Sequence, residues 1–211
     1  MKKINDWYVH SEDDPRVEII RTKGIPDLHH LESALGHVTN FSLAIDGGAH
    51  YGTWSLALAA QFDSVESFEP IPMISNAGML NMFHRDLTRD KVRWWPIALG
   101  PELGTCDLMF APNASMSSYV RMWKKGITPV VPLDLFGWSP GFVKLDLEGS
   151  EVVALRGARE TLKRSKPVVL IEWKPHKAGN NGGTLEEAHE ILAEAGLRHI
   201  ETIDQDRIYA P

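Results

Sequence analysis

Cys106 is the only cysteine among the 211 residues, so an intrachain disulfide and every cysteine-rich zinc pattern are excluded. No apolar run approaches the ~20 residues that a membrane-spanning helix requires. The opening stretch, Met1-Lys2-Lys3-Ile4-Asn5-Asp6-Trp7, carries basic side chains but no apolar signal-peptide core. A basic excess is also absent. The net charge is −6 and no basic cluster occurs, which excludes a general nucleic-acid-binding surface. Internal repeats, low-complexity tracts and an interdomain linker are missing too. These absences predict a cytoplasmic protein with a small-molecule partner and neither a membrane nor a nucleic-acid partner. They leave its oligomeric state open. Hydrophobic residues at 43% and charged residues at 24% are ordinary for a globular chain, and the length suffices for one large α/β domain with a real core.

From residue 41 the pattern alternates. Strands are predicted at 42–46, 64–69, 92–97, 141–147 and 167–173, and helices at 52–61, 72–84, 150–164 and 184–195. Alternation of this kind implies a mostly parallel sheet with helices on both faces. Residues 1–40 read as an N-terminal extension. A short helix there has apolar positions at 28, 31 and 35 and ends near Gly36, and Asp13-Asp14-Pro15 is a turn or helix start. Residues 101–138 break the rhythm with Pro, Gly and β-like runs at Cys106–Phe110 and Ser117–Arg121. They read as a β-rich insertion or lid over one end of a domain spanning 41–211. Arg198–Ile203 and Arg207–Tyr209 form a candidate closing hairpin.

The most informative stretch is Ala44-Ile45-Asp46-Gly47-Gly48-Ala49-His50-Tyr51-Gly52. An apolar strand runs into an acidic residue, a glycine turn and then a helix. Glycines without a Cβ allow the backbone to approach a ligand closely. The form D-x-G-x-x-x-G departs from the dinucleotide fingerprint, because Ala49 stands where the middle glycine should admit a pyrophosphate. An acidic strand end suits a ligand with a cationic or hydroxyl-bearing end, such as S-adenosylmethionine. The second strand ends in Glu69-Pro70, where a carboxylate at the ligand-binding edge of the sheet can accept from both ribose hydroxyls. Trp94 and Trp95 point to opposite strand faces, so at most one can face a ligand. Backbone at Ile97 or Ala98 can read an adenine amine.

The fourth strand, Phe142-Val143-Lys144-Leu145-Asp146-Leu147-Glu148-Gly149-Ser150-Glu151, alternates charged and apolar residues. Unpaired burial of those charges is costly. Near the strand's carboxyl end they would line a ligand crevice, while Glu151 suits a helix first turn. The fifth strand ends in Glu172, with His176 close behind as a candidate general base. His50, inside the glycine turn, is a candidate ligand contact. Asp146, Glu148 and Glu172 are hard oxygen donors able to hold a divalent metal, although their spacing fixes no ligand geometry.

With these pieces assembled, the chain resembles the FkbM-type family of S-adenosylmethionine-dependent methyltransferases. The likeness rests on Ile45–Gly52, Phe68-Glu69-Pro70, Ala98-Leu99-Gly100, Val143–Glu151 and Leu170-Ile171-Glu172, with Met116-Ser117-Ser118 similar to a serine-bearing loop of that family. It implies a Rossmann-like class I methyltransferase fold with a seven-stranded sheet, and O-methylation of a hydroxyl on a sugar or other natural-product-like small molecule. It implies a cofactor pocket around Asp46, Gly47, Gly48, His50 and Gly52, with Glu69 and Pro70 at the ribose and Asp146 near the sulfonium. Catalytic roles fall to Asp146, Lys144, Glu172 and His176, in orienting and deprotonating the acceptor. An NAD-dependent oxidoreductase and a non-catalytic cofactor-binding module of the same fold are the alternatives.

Overall fold

Alternate residues of a buried strand face opposite sides, and two helical layers divide the core here along that rule. The computed structural model describes residues 1–22, 24–87, 90–110, 118–121, 126–175 and 183–211. It opens with a hairpin, β1 (Lys2–Ile4) and β2 (Trp7–Val9), then α1 (Pro15–Thr22) and α2 (Leu28–Leu35). Alternating elements follow: β3 (Leu43–Gly47), α3 (Thr53–Ala59), β4 (Ser64–Phe68), α4 (Pro72–His84) and β5 (Val92–Trp95). Next come β6 (Ala98–Leu99), β7 (Gly104–Phe110), β8 (Ser118–Arg121) and β9 (Thr128–Val131). The remainder is β10 (Phe142–Leu145), α5 (Glu151–Arg156), α6 (Arg159–Ser165), β11 (Val168–Glu172), α7 (Leu185–Glu194), β12 (Arg198–Ile203) and β13 (Asp206–Ala210).

The main sheet has seven strands in the order β12-β13-β11-β10-β3-β4-β5. The strands from β11 to β5 pair in parallel. The closing hairpin adds antiparallel pairings at β13, so the sheet is mixed at one edge. Val169 and Ile171 of β11 pack with Ile45 and Val143 against Leu155, Leu162, Ile191 and Leu192 of α5, α6 and α7. Val168 and Leu170, the alternate residues, pack with Ala44 and Phe142 against Leu31 of α2 and Leu58 of α3. A second sheet, ordered β6-β9-β7-β8, occupies the stretch after β5. No helix among the described residues is long and apolar enough to cross a membrane.

Three features differ from the sequence expectation. Strand 92–97 ends at Trp95, before Pro96, which has no N–H for a ladder, and the next two residues after that span, Ala98–Leu99, enter the second sheet as β6. The helix expected over 150–164 is two helices. A Cβ on Gly157 would lie 2.0 Å from the Gly100 carbonyl oxygen, so the chain passes hard against that loop at the break. Asp134 then restarts a helix, its carboxylate accepting from the backbone N–H of Glu160 (3.1 Å) and Thr161 (2.7 Å). Finally, the β1–β2 hairpin was not foreseen. It packs through Ile4, Trp7 and Val9 with Val17 and Ile20 of α1 against Tyr51, Ile74 and Ala77. Asn81 of α4 fastens it by accepting from Tyr8 N–H (2.6 Å) and donating to the Tyr8 carbonyl (2.9 Å).

Candidate active site

The glycine turn is stitched between the ends of two neighbouring strands. Gly48 and Ala49 both donate their N–H to the Phe68 carbonyl, at 3.0 and 2.9 Å, and Asp146 donates its N–H to the Gly47 carbonyl at 3.1 Å. Gly48 has φ +78°, and a Cβ there would lie 1.9 Å from the Asp146 carbonyl oxygen. Both the conformation and the space demand glycine. Gly48→Ala is expected to lower stability by about 2–3 kcal/mol, since overpacking is added to a left-handed backbone. An unchanged denaturant midpoint would contradict that contact. His50 also adopts a left-handed conformation, φ +52°, which aims its N–H at Glu69 Oε2 3.0 Å away.

Asp46 and Lys144 lie behind this turn, off the cleft wall. Asp46 is fully buried and accepts from Ser55 Oγ (2.6 Å) and Lys144 Nζ (3.2 Å). Lys144 Nζ also donates to the carbonyls of Gly47 and Gly48, each at 3.3 Å, and lies 3.9 Å from Asp146 Oδ2. Burial disfavours its charge, but Asp46 and Asp146 outweigh that and raise its pKa. The pair therefore holds the turn from beneath. Gly47 and Gly52 are likewise part of the turn's framework and do not line the cleft.

The cleft lies over the carboxyl ends of β3, β4 and β10 and is open to solvent on one side. Its apolar surface comes from Phe68, Ile97, Leu99 and Leu147, while Gly48, His50, Glu69, Pro70 and Ala98 also line it. Neither tryptophan does. Trp94 donates to Ser75 Oγ (2.8 Å), and Trp95 donates to Glu66 (2.7 Å) and stacks on Phe68. Glu69 is buried, with one oxygen accepting from Ile71 N–H (2.9 Å) and the other from His50 N–H. A carboxylate has about four acceptor positions, so each oxygen keeps one for a ligand hydroxyl. Burial pushes the Glu69 carboxyl up to about 7, against the lowering effect of those two N–H donors. His50 is pushed well below its ordinary value by burial and then by the positive field of Arg16, so it is neutral at pH 7.

The opposite side of the cleft is charged. Asp146 and Glu148 line it, and the oxygens of Asp146, Glu148 and Glu172 come within 4.8 Å of one another. Cations are already interleaved. Arg16 lies 3.6 Å from both Asp146 and Glu148, and Lys174 pairs with Glu172 and lies 3.6 Å from Glu148. A metal ion at this trio would have to displace an ammonium or guanidinium. Burial would raise the Asp146 carboxyl, but Lys144 and Arg16 prevail and hold it below the usual carboxylate range. Burial and the Asp146 charge push Glu172 well above that range. Asp146 is thus the ionised member of the pair and Glu172 the protonated one. One Asp146 oxygen, Oδ1, is buried without a hydrogen-bond partner.

Arg16 is the site residue that sequence reasoning missed. It enters from the first turn of α1, where Asp14 accepts from the Arg16 N–H (2.9 Å) and from Tyr51 Oη (2.8 Å). The only local signal is Asp13-Asp14-Pro15, which reads as a turn or helix start. His176, Met116 and Ser117 lie outside the described residues.

Glu151 supports the loop after β10, accepting from Leu147 N–H (2.7 Å) and Gly149 N–H (3.1 Å). Burial pushes it up to about 7 from an ordinary 4.5, despite those donors. Below about pH 4.5 both folded and unfolded states hold the proton. Between 4.5 and 7 the unfolded state releases it first, so stability falls as pH rises through that window. The loss attributable to Glu151 is on the order of 3 kcal/mol. Glu69 adds a slope of the same sign. Glu172, raised further still, adds a third contribution, so Glu151→Gln is expected to remove about one third of the carboxyl slope in urea titrations from pH 4.5 to 7.5, by the same linkage. An unaltered slope would show that Glu151 titrates normally.

Comparisons with known proteins agree on the fold. A family profile described as the methyltransferase FkbM domain matches residues 46–198. The structure is similar to a methyltransferase FkbM from Methylobacillus flagellatus KT, with TM-score 0.55 and 23% identity, covering 82% of this chain and 44% of that one. The chain thus spans less than half the length of that protein. It is similar to magnesium protoporphyrin IX methyltransferase from Synechocystis PCC 6803, solved with bound SAM, with TM-score 0.55 and 12% identity, covering 99% of this chain and 84% of that one. A SAM-dependent methyltransferase from Aquifex aeolicus gives TM-score 0.52 and 15% identity, covering 94% and 93%. No curated protein matches the chain.

Proposed function

The chain belongs to the FkbM methyltransferase family, and from that premise we propose that it methylates a hydroxyl oxygen of a small acceptor, a sugar or a similarly hydroxylated natural product, with S-adenosylmethionine as donor. The observation that carries this reading is one cleft with Glu69 on one wall and the Asp146–Glu172 pair beside the other. The residues present fit the cofactor: a turn with no room for a Cβ at Gly48, a carboxylate with free acceptor positions, an apolar shelf, and an unpartnered buried oxygen on Asp146. Glu69 would hold the ribose hydroxyls, Ile97 and Ala98 would flank the base, and Gly48, His50 and Pro70 would complete the wall.

The cofactor supplies a methyl group already activated on a cationic sulfur. The protein's task is therefore alignment, which can contribute ~7–11 kcal/mol where geometry is tight. Asp146, held ionised, accepts the acceptor's hydroxyl hydrogen bond. With the donor bound, Asp146 would receive the hydroxyl proton late, once the attacking oxygen has become acidic, as suits a carboxylate of lowered pKa. Glu172, protonated, donates to Asp146 and keeps it oriented. Lys144 acts through its charge on Asp46 and Asp146, without touching the acceptor. The 101–138 stretch would cover the acceptor, and His176 is retained as a second candidate base. The 1–40 extension, ahead of a domain at 41–211, contributes Arg16 to the wall.

The test is incubation with methyl-labelled S-adenosylmethionine and a panel of mono- and disaccharides, read by mass spectrometry. A methyl ether on one hydroxyl is expected. Turnover of donor without any carbohydrate ether would overturn the acceptor class, and binding of NAD in place of the donor would overturn the reaction. Donor affinity should also depend on pH. Ribose hydroxyls favour ionised Glu69, so affinity is expected to rise as pH increases through 7 and then level off. Calorimetry on Glu69→Gln should give weaker and pH-independent binding; a retained pH dependence would assign the titration elsewhere.

A further inference from the structure

At the turn joining β12 to β13, on the same edge of the sheet as the cleft but outside its lining, lies a second constellation, with Asp206 paired to Glu172 across the β11–β13 ladder. His29, His30 and Asp204 each bring one donor atom, and these atoms all lie within 4.8 Å of one another. The two histidines belong to the first turn of α2, and Asp204 to the hairpin turn more than 170 residues later.

We propose that His29, His30 and Asp204 bind a divalent zinc-class metal ion that ties α2 to the β12–β13 hairpin. The geometry around His30 carries the assignment. Its Nδ1 lies 2.7 Å from Asp206 Oδ2, the length of a charge-assisted hydrogen bond, and both side chains are largely buried. That contact fixes the ring and directs Nε2 outward, the carboxylate–histidine arrangement that orients metal-ligating imidazoles. Nε2 lies 3.3 Å from Asp204 Oδ2, long for a charge-assisted hydrogen bond. It equals the ligand-to-ligand edge of a tetrahedral zinc site, about 3.3 Å for bonds of about 2.0–2.1 Å. His29 is exposed and its ring contacts that of His30, with centroids 4.1 Å apart, so rotation about its own side chain brings a nitrogen to the third position. Water would fill the fourth. Two imidazoles and one carboxylate select zinc, cobalt or nickel over magnesium or calcium.

The test is zinc titration of the full chain, stripped with EDTA, against a chromophoric chelator. One equivalent should bind and raise Tm. His29→Ala changes an exposed side chain, and Asp204→Ala does so at a left-handed turn position (φ +52°), which costs about 1–2 kcal/mol without unfolding the chain; each should weaken binding at least about tenfold, and Asp206→Asn should weaken it about 10–100-fold through His30. An Asp146→Asn control should bind zinc as the parent does, which separates this site from the acidic trio of the cleft. Absence of saturable binding, or parent-like affinity in the His29→Ala/Asp204→Ala double variant, would overturn the proposal.

Discussion

Asp146→Ala is expected to lower kcat by about 10²–10⁴-fold at saturating donor, the usual contribution of a positioned proton acceptor. The reason lies in how the two neighbouring carboxyls diverge. Lys144 and Arg16 keep Asp146 ionised against the cost of its burial, while burial and the Asp146 charge keep Glu172 protonated. Pairs of carboxyls driven apart in this way mark acid and base roles. Asp146→Asn keeps the shape and removes the acceptor charge, so its loss should be nearly as large. Glu172→Gln retains a donor toward Asp146 and should preserve turnover near neutrality while abolishing the alkaline decline that Glu172 ionisation causes. Stopped-flow or single-turnover measurements at saturating S-adenosylmethionine read all three. Near-parent turnover in Asp146→Ala would remove Asp146 from the reaction.

Lys144→Met should have the largest effect on stability, a loss of about 3–5 kcal/mol, because it strands a buried carboxylate. Asp46 has no exposed surface and Lys144 only 3%. Removing the ammonium leaves Asp46 with Ser55 Oγ as its remaining side-chain donor. The carbonyls of Gly47 and Gly48 lose a donor in the same step. Adding Asp46→Asn should recover more than half of the loss, since neutral partners carry no uncompensated charge. Urea unfolding decides it. A Lys144→Met chain within about 1 kcal/mol of the parent would mean that the pair behaves like an exposed one.

The elements readable from sequence were those with local signatures. The turn at Asp46–Gly52, Glu69-Pro70 at the end of β4, and the helix opened by Thr184, whose hydroxyl accepts from Glu187 N–H, all announce themselves within a few residues. The alternation after Val143 was also visible, but its depth was not. Lys144 sits two residues before Asp146, about 6–7 Å further down the strand, which places it under the turn instead of on the cleft wall. The split between α5 and α6 depends on Gly100 and Asp134, which are distant in sequence. Arg16 was hidden for the same reason. Its partners Asp146 and Glu148 come from the far side of the domain, and no local spacing encodes such a contact.

The docking of α1 has a consequence for synthesis. The charged wall of the cleft combines a guanidinium from residue 16 with carboxylates that are placed only when β10 and β11 have joined β3. A ribosome must therefore release most of the chain before donor can be captured. Products truncated before β11 should gain no protection from S-adenosylmethionine, whereas a chain that includes it should. Protease resistance conferred by the donor should therefore separate finished chains from truncated ones.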